Sequence, residues 1–182
     1  MVASSSIVKD KTQGEQLHTW VKESIKSNVT FKLLWKGSTD GFGAATFHSK
    51  CNSQGPTLTV IKSKHDRVFG GFTSVSWGFA PQGRWEFKKD ATAFIYSLTH
   101  GGKYAQQLND NSIYDYGNRG PTFGCSYAYD IYIRDNCNAR TDNSCWANRT
   151  YQLPAGAGDD FLAGSTNYSV KEIEVYAVTK QP

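Results

Sequence analysis

No stretch of this sequence is long and apolar enough to span a bilayer, and its opening Met1-Val2-Ala3-Ser4-Ser5-Ser6-Ile7 has neither the basic start nor the apolar run of a secretion signal. Met1-Val2 lacks the glycine of a myristoylation signal, and Thr179-Lys180-Gln181-Pro182 lacks a prenylated cysteine. The expectation is a cytoplasmic protein with no direct membrane insertion, peripheral on an organelle or part of a large assembly. Cysteine is sparse and dispersed. Cys51, Cys125, Cys137 and Cys145 include no Cys-x-x-Cys pair, so a tetrahedral zinc site has little to build on, and His48-x-x-Cys51 is a weak start. In a reducing compartment the thiols are expected to be free, and the acceptor-like Asn28, Asn148 and Asn167 unglycosylated. A Gly-x-Ser-x-Gly elbow is absent, which leaves a serine hydrolase unsupported. A dense basic run is absent too: 20 Lys and Arg are scattered among 16 Asp and Glu for a net charge of +4, and no nucleic-acid motif accompanies them.

What is present fits one soluble domain, 1–182. At 182 residues a chain can bury most of its apolar surface in one core, and 17 Gly with 14% aromatics point to strands and turns. Thr12-Gln13-Gly14-Glu15 has capping-box spacing, and Leu17, Trp20, Val21 and Ile25 recur at helical intervals behind it. Residues 31–35 read as a strand leading into a loop at 37–41. Ala44, Phe47, His48 and Cys51 then suit a short helix. Residues 57–62 and 68–73 form a hairpin pattern, with Gly70-Gly71 where backbone must approach closely. Further strands are expected at 93–98 and 130–133. In the closing stretch Ile173, Val175 and Ala177 alternate with Glu172, Glu174 and Tyr176, as in a strand with one wet face. Helices precede most strands, so the expected class is α+β and not alternating βαβ units.

Few groupings offer chemistry. Asp40, Glu172 and Glu174 would make an acid–base pair only if burial raised one of them, and their pattern places them in a loop and on a solvated face. His48 and Cys51 lie three apart on the expected helix, but Cys51 falls on its apolar stripe with Ala44 and Phe47 and reads as a buried thiol. Asp130, Asp135, Asn136, Asp142 and Asn143 form an oxygen-rich stretch without the alternation and central Gly of a calcium loop. No catalytic residue, cofactor or metal ligand is assigned.

Leu34-Trp35-Lys36-Gly37-Ser38-Thr39-Asp40-Gly41-Phe42, Gly55-Pro56-Thr57-Leu58-Thr59-Val60-Ile61-Lys62-Ser63, and Val68-Phe69-Gly70-Gly71-Phe72-Thr73-Ser74 with Trp77 resemble the TLDc domain. The resemblance continues through Lys88-Lys89-Asp90-Ala91-Thr92-Ala93-Phe94-Ile95-Tyr96-Ser97-Leu98, Gly120-Pro121-Thr122-Phe123-Gly124 and Glu172-Ile173-Glu174-Val175-Tyr176. It covers a core of about 7–178 and implies two antiparallel β-sheets packed as a sandwich with a few marginal helices. It also implies a non-catalytic module linked to oxidative-stress resistance and to the vacuolar-type proton ATPase, whose peripheral subunits would be partners. Two alternatives stay open, a docking component of a cytoskeletal or other large assembly and a thiol-based redox enzyme. After the Pro-Thr-Phe-Gly turn the family carries glycines and His-Asp, whereas this chain reads Gly124-Cys125-Ser126-Tyr127-Ala128-Tyr129-Asp130. For a binding module, exposed aromatic and Arg residues are the contacts to expect. Arg84 and Trp85, in a loop expected at 78–86, and Arg140, Trp146 and Arg149, in the polar loop 134–149, are the candidates.

Overall fold

The computed structural model describes residues 5–78, 84–107, 111–124 and 128–181. The chain opens with α1 (Lys11–Ile25), β1 (Val29–Lys36), the single turn α2 (Gly37–Asp40) and α3 (Ala44–Cys51). Then come β2 (Thr57–Ser63), β3 (Val68–Thr73), β4 (Trp85–Lys88), β5 (Phe94–Ser97), β6 (Gly102–Ala105), β7 (Ile113–Tyr116) and β8 (Thr122–Phe123). Two short strands, β9 (Asn143–Ser144) and β10 (Asn167–Tyr168), precede the long closing strand β11 (Val170–Lys180).

Six strands form one sheet in the order β1-β11-β2-β3-β5-β6, and β4-β7-β8 form a second, three-stranded one. Every pairing in both is antiparallel. The sheets share a core. Ile61, Phe69, Ile95, Ile173 and Val175 from the large sheet cluster with Ile113 and Phe123 from the small one, and with Phe47 and Cys51 of α3. The opposite face of the large sheet, with Leu58, Val60, Phe72, Phe94, Tyr96 and Tyr176, is covered by Leu17 and Val21 of α1. The architecture is the expected α+β sandwich, with one helix forming a third layer.

The local expectations fared unevenly. Helix α1 carries the expected stripe, but Asp10 caps it: its Oδ1 accepts from Thr12 N–H at 2.8 Å, so the helix begins one residue before Thr12. The loop at 37–41 contains a helical turn whose Asp40 carboxylate reaches back to accept from Lys36 N–H at 2.9 Å. Residues 130–133 form no strand. They hold only isolated bridges, Ile131 to Phe123 and Tyr132 to Ser144, because the extended segment passes between the edges of two small sheets.

The largest correction concerns β11. Its alternation suggested a wet face, yet the strand lies between β1 and β2 in a sheet covered on both sides, and Glu174 is fully buried. Its carboxylate accepts from Ser5 Oγ at 2.5 Å, Ser6 N–H and Oγ at 2.8 Å each, and Tyr176 Oη at 2.7 Å. Lys36 Nζ stands 3.5 Å away. The segment 5–8 is thereby strapped across the sheet, with Ile7 and Val8 buried in the α1-side core.

Gly70 and Gly71 sit mid-strand in β3, as the close-approach reading requires. A Cβ on Gly70 would lie 2.0 Å from the Thr59 carbonyl oxygen, and one on Gly71 would meet the Phe123 ring at 2.6 Å. Gly71 thus lets Phe123 of the small sheet close onto β3, whereas Gly70 makes room for the Thr59 carbonyl and the Tyr96 hydroxyl within the large sheet.

Candidate functional site

Five aromatic rings form a continuous band across the small sheet and the segment that follows it. Trp85, the first residue of β4 and not part of a loop, is 57% exposed and leans on Phe87 at 5.0 Å between centroids and on Tyr114 at 6.2 Å. Pairing of β4 with β7 sets Phe87 opposite Tyr114, their rings 5.1 Å apart. Tyr114 meets Tyr129 at 5.1 Å, and Tyr129 stacks on Tyr132 at 4.5 Å with the planes 9° apart.

At its far end the band opens into a cleft of about 560 Å3, lined by Tyr129, Tyr132, Arg134, Asp142, Trp146 and Arg149 among others. Trp146 is placed by its backbone, whose N–H donates to the Tyr129 carbonyl at 3.1 Å. Guanidinium groups cover the rings: Arg134 lies 4.9 Å from the Tyr132 centroid, Arg119 5.5 Å from it, and Arg149 5.7 Å from the Trp146 ring. Arrangements of this kind are worth about 0.5–2 kcal/mol each depending on desolvation.

The walls are held by buried polar groups. Asn143 donates from Nδ2 to the carbonyls of Cys137 at 2.8 Å and Tyr168 at 3.0 Å, and its Oδ1 accepts from Arg134 N–H at 3.0 Å. Asp130, fully buried, accepts from the N–H groups of Arg149, Thr150 and Tyr151 at 3.2, 2.8 and 3.2 Å, which fixes the backbone carrying Arg149. Burial pushes its carboxyl up to about 6 even against those donors. The oxygen-rich stretch is thus spread among separate structural tasks. Asp135 caps Ala44 N–H at the start of α3, and Asp142 is gripped by Arg140 through two bonds of 2.7 Å. Among the described residues no group of three His, Cys, Asp or Glu could hold a metal ion.

Of the residues singled out in the sequence, Trp146 and Arg149 line the cleft together, and Trp85 anchors the other end of the aromatic band. Arg140 stands beside the cleft, bound to Asp142. Arg84 is exposed next to Trp85. Sequence reasoning missed Tyr129, Tyr132, Arg134 and Arg119. The alternation of Tyr132 with Arg134 along an extended segment was the available signal, masked by the expectation of an ordinary strand there. Cys125 and the altered segment 125–127 lie outside the described residues, as do 79–83 of the expected 78–86 loop.

Chemistry finds no assembled centre among the described residues. The His48 Nε2 lies 3.1 Å from the carbonyl oxygens of both Tyr116 and Arg119, and its Nδ1 lies 2.8 Å from Asn52 Oδ1. Neither nitrogen serves Cys51. Cys51, Cys137 and Cys145 are free and buried, and burial raises the first two thiols to about 12 and the third further still. Thiolates are therefore scarce at neutral pH, which counts against the redox alternative for these three. Asp40, Glu172 and Glu174 hold separate backbone and side-chain donors: Lys36 N–H for Asp40, Ser38 N–H for Glu172, and the strap for Glu174. Burial raises the Glu174 carboxyl, but Ser5, Tyr176 and Ser6 outweigh it and hold the group below its ordinary value, the opposite of a general acid's requirement. No helix among the described residues is long and apolar enough to cross a membrane.

A model of the TLDc domain matches residues 2–179. The chain belongs to the TLDc family. Among curated proteins it is similar to MTOR-associated protein MEAK7 of Danio rerio, 29% identical over 169 residues that cover 85% of this chain and 34% of the relative. The same protein of Xenopus laevis is 27% identical over 163 residues, covering 84% of this chain and 33% of the relative. Interferon-induced protein 44 of Homo sapiens is 40% identical over 63 residues, 32% of this chain and 14% of that protein. This TLDc chain thus spans about a third of the length of the MEAK7 relatives it matches.

Proposed function

We propose that this chain is a single TLDc domain that works by binding another protein, through the face running from Trp85 to Trp146 and Arg149. Membership in the family and the MEAK7 relatives support a protein-interaction domain. The observation that carries the site is the continuity of the aromatic band with an arginine-lined cleft. Buried aromatic and Arg anchors dominate protein interfaces, and Trp85, the most exposed large apolar side chain described, sits at its end. The relatives' name, MTOR-associated, makes an mTOR-containing assembly one partner to test. The resemblance to the family makes the peripheral subunits of the vacuolar-type proton ATPase another, with a role in oxidative-stress resistance. A cytoskeletal docking role has no observation among the described residues in its favour.

The test is capture of these named partners by the full chain and by Trp85→Ala, Arg84→Ala, Arg140→Ala, Trp146→Ala and Arg149→Ala, each scored also for its melting temperature. Loss of capture with unchanged melting supports the face. If no variant loses capture, or if every variant that does also unfolds, the reading is abandoned.

A further inference from the structure

The arginines of the cleft are poorly matched in charge. Arg119, Arg134, Arg140 and Arg149 gather around it, against one lining carboxylate among the described residues, that of Asp142. Asp142 is already committed: Arg140 holds both its oxygens, and Arg134 Nε lies 2.9 Å from its carbonyl oxygen and 3.4 Å from its carboxylate. Neither Arg119 nor Arg149 has an ion-pair partner among the described residues, and Arg149 is exposed. No lysine lines the cleft among the described residues. Arg119 gives its Nε to Tyr132 Oη and its Nη1 to Asn118, so Arg149 is the guanidinium without a hydrogen bond or ion pair among the described residues; laid against Trp146, it is placed to take a carboxylate.

We infer that the cleft takes an acidic segment of a partner polypeptide, with a Glu or Asp carboxylate set between Arg134 and Arg149 and a neighbouring aromatic side chain laid against Trp146 and Tyr129. This rests on the protein-binding reading of the face and names the class of partner. The carboxylate geometry matches a guanidinium fork in two parallel hydrogen bonds, which favours Arg over Lys at such sites. Ser144 and Asn167, which also line the cleft, offer both donors and acceptors to an extended backbone. At about 560 Å3 the cleft suits a few side chains and not a run of nucleotides.

The test is fluorescence anisotropy on the full chain with a labelled peptide of alternating Glu and Tyr, compared with an alternating Lys–Tyr peptide and a single-stranded oligothymidylate. The Glu–Tyr peptide should bind and weaken as salt is added. It should lose about tenfold or more in affinity in Arg149→Glu and in the Arg134→Gln/Arg149→Gln pair, as expected when a charge-assisted pair is removed. Arg149 makes no side-chain hydrogen bond to the fold among the described residues, so Arg149→Glu should melt as the parent does. Equal binding of acidic and basic peptides, no binding of either, full affinity in Arg149→Glu, or tighter binding of the oligothymidylate would each overturn the inference. Loss of native partners in Trp146→Ala with no acidic-peptide binding would sink the charge class while leaving the protein-binding face standing.

Discussion

Replacing Glu174 by Ala removes the acceptor around which segment 5–8 is organised. Tyr176 Oη, 1% exposed as a residue, then has no acceptor in place of a carboxylate oxygen at 2.7 Å, and a buried donor left unpaired costs about 1–3 kcal/mol. Lys36 loses its nearest carboxylate, and Ser5 Oγ and the Ser6 N–H and Oγ lose theirs. Breaking a buried, charge-paired set by deleting one member falls at about 3–5 kcal/mol, and Glu174→Ala should reach it. For a chain of this size that corresponds to roughly 6–20 °C in melting temperature. Glu174→Gln keeps the shape and one acceptor oxygen, and charge-assisted bonds are roughly twice as strong as neutral ones, so it should lose about half as much. The pH dependence has a definite sign. The folded carboxyl lies below its ordinary value of 4.5, so its contribution is full above that value and is lost as pH falls through the lower, folded one. Denaturant unfolding at pH 7 and at steps below pH 5 should show the parent and Glu174→Gln converging as acid is added. Amide exchange should quicken at Ser6, whose N–H rests on Glu174. A Glu174→Ala variant within about 1 kcal/mol of the parent, with Ser6 exchange unchanged, would show that the strap is not held by this carboxylate.

Gly70→Ala should cost more than Gly71→Ala, because the first drives a Cβ into the Thr59 carbonyl and the second into a ring that can shift; about 1–3 kcal/mol is usual for such overpacking, and the reverse order in denaturant midpoints would refute it. Cys51, Cys137 and Cys145 should resist a thiol reagent in the native protein and react on unfolding without prior reduction; labelling of any of them under native conditions would contradict their burial. The Asp130 carboxyl, raised to about 6 in the fold, binds its proton more tightly than in the unfolded chain, so its contribution is full below 3.8 and lost as pH rises through about 6. Asp130→Asn should therefore flatten the fall in stability across that window, and an unchanged slope would place the titration elsewhere. Trp85→Ala, at an exposed strand end, should change stability by less than about 1 kcal/mol, measured by the same unfolding curves.

Local pattern sufficed wherever one residue's neighbours in sequence are also its neighbours in space. The stripe Leu17, Trp20, Val21 and Ile25 marks α1 because a helix brings such positions onto one face, and the apolar runs of β2 and β3 with a polar turn between them mark their hairpin. The TLDc pattern in these same strands made the class of fold legible, while Arg84, Trp85, Arg140, Trp146 and Arg149 were named by side-chain type alone, in segments expected to be loops. Other features depend on contacts between distant parts of the chain. The fate of Glu174 was decided by Ser5 and Ser6, about 169 residues away, because alternation along β11 tells which residues share a face but not whether another segment covers it. The cleft was likewise invisible: β4 must pair with β7 before Phe87 meets Tyr114, and Asp130 must hold the backbone at 149–151 before Arg149 stands beside Trp146. Side-chain type and period are written in the sequence, whereas burial of a charge and convergence of a surface arise from packing between elements that only the closed sheets bring together.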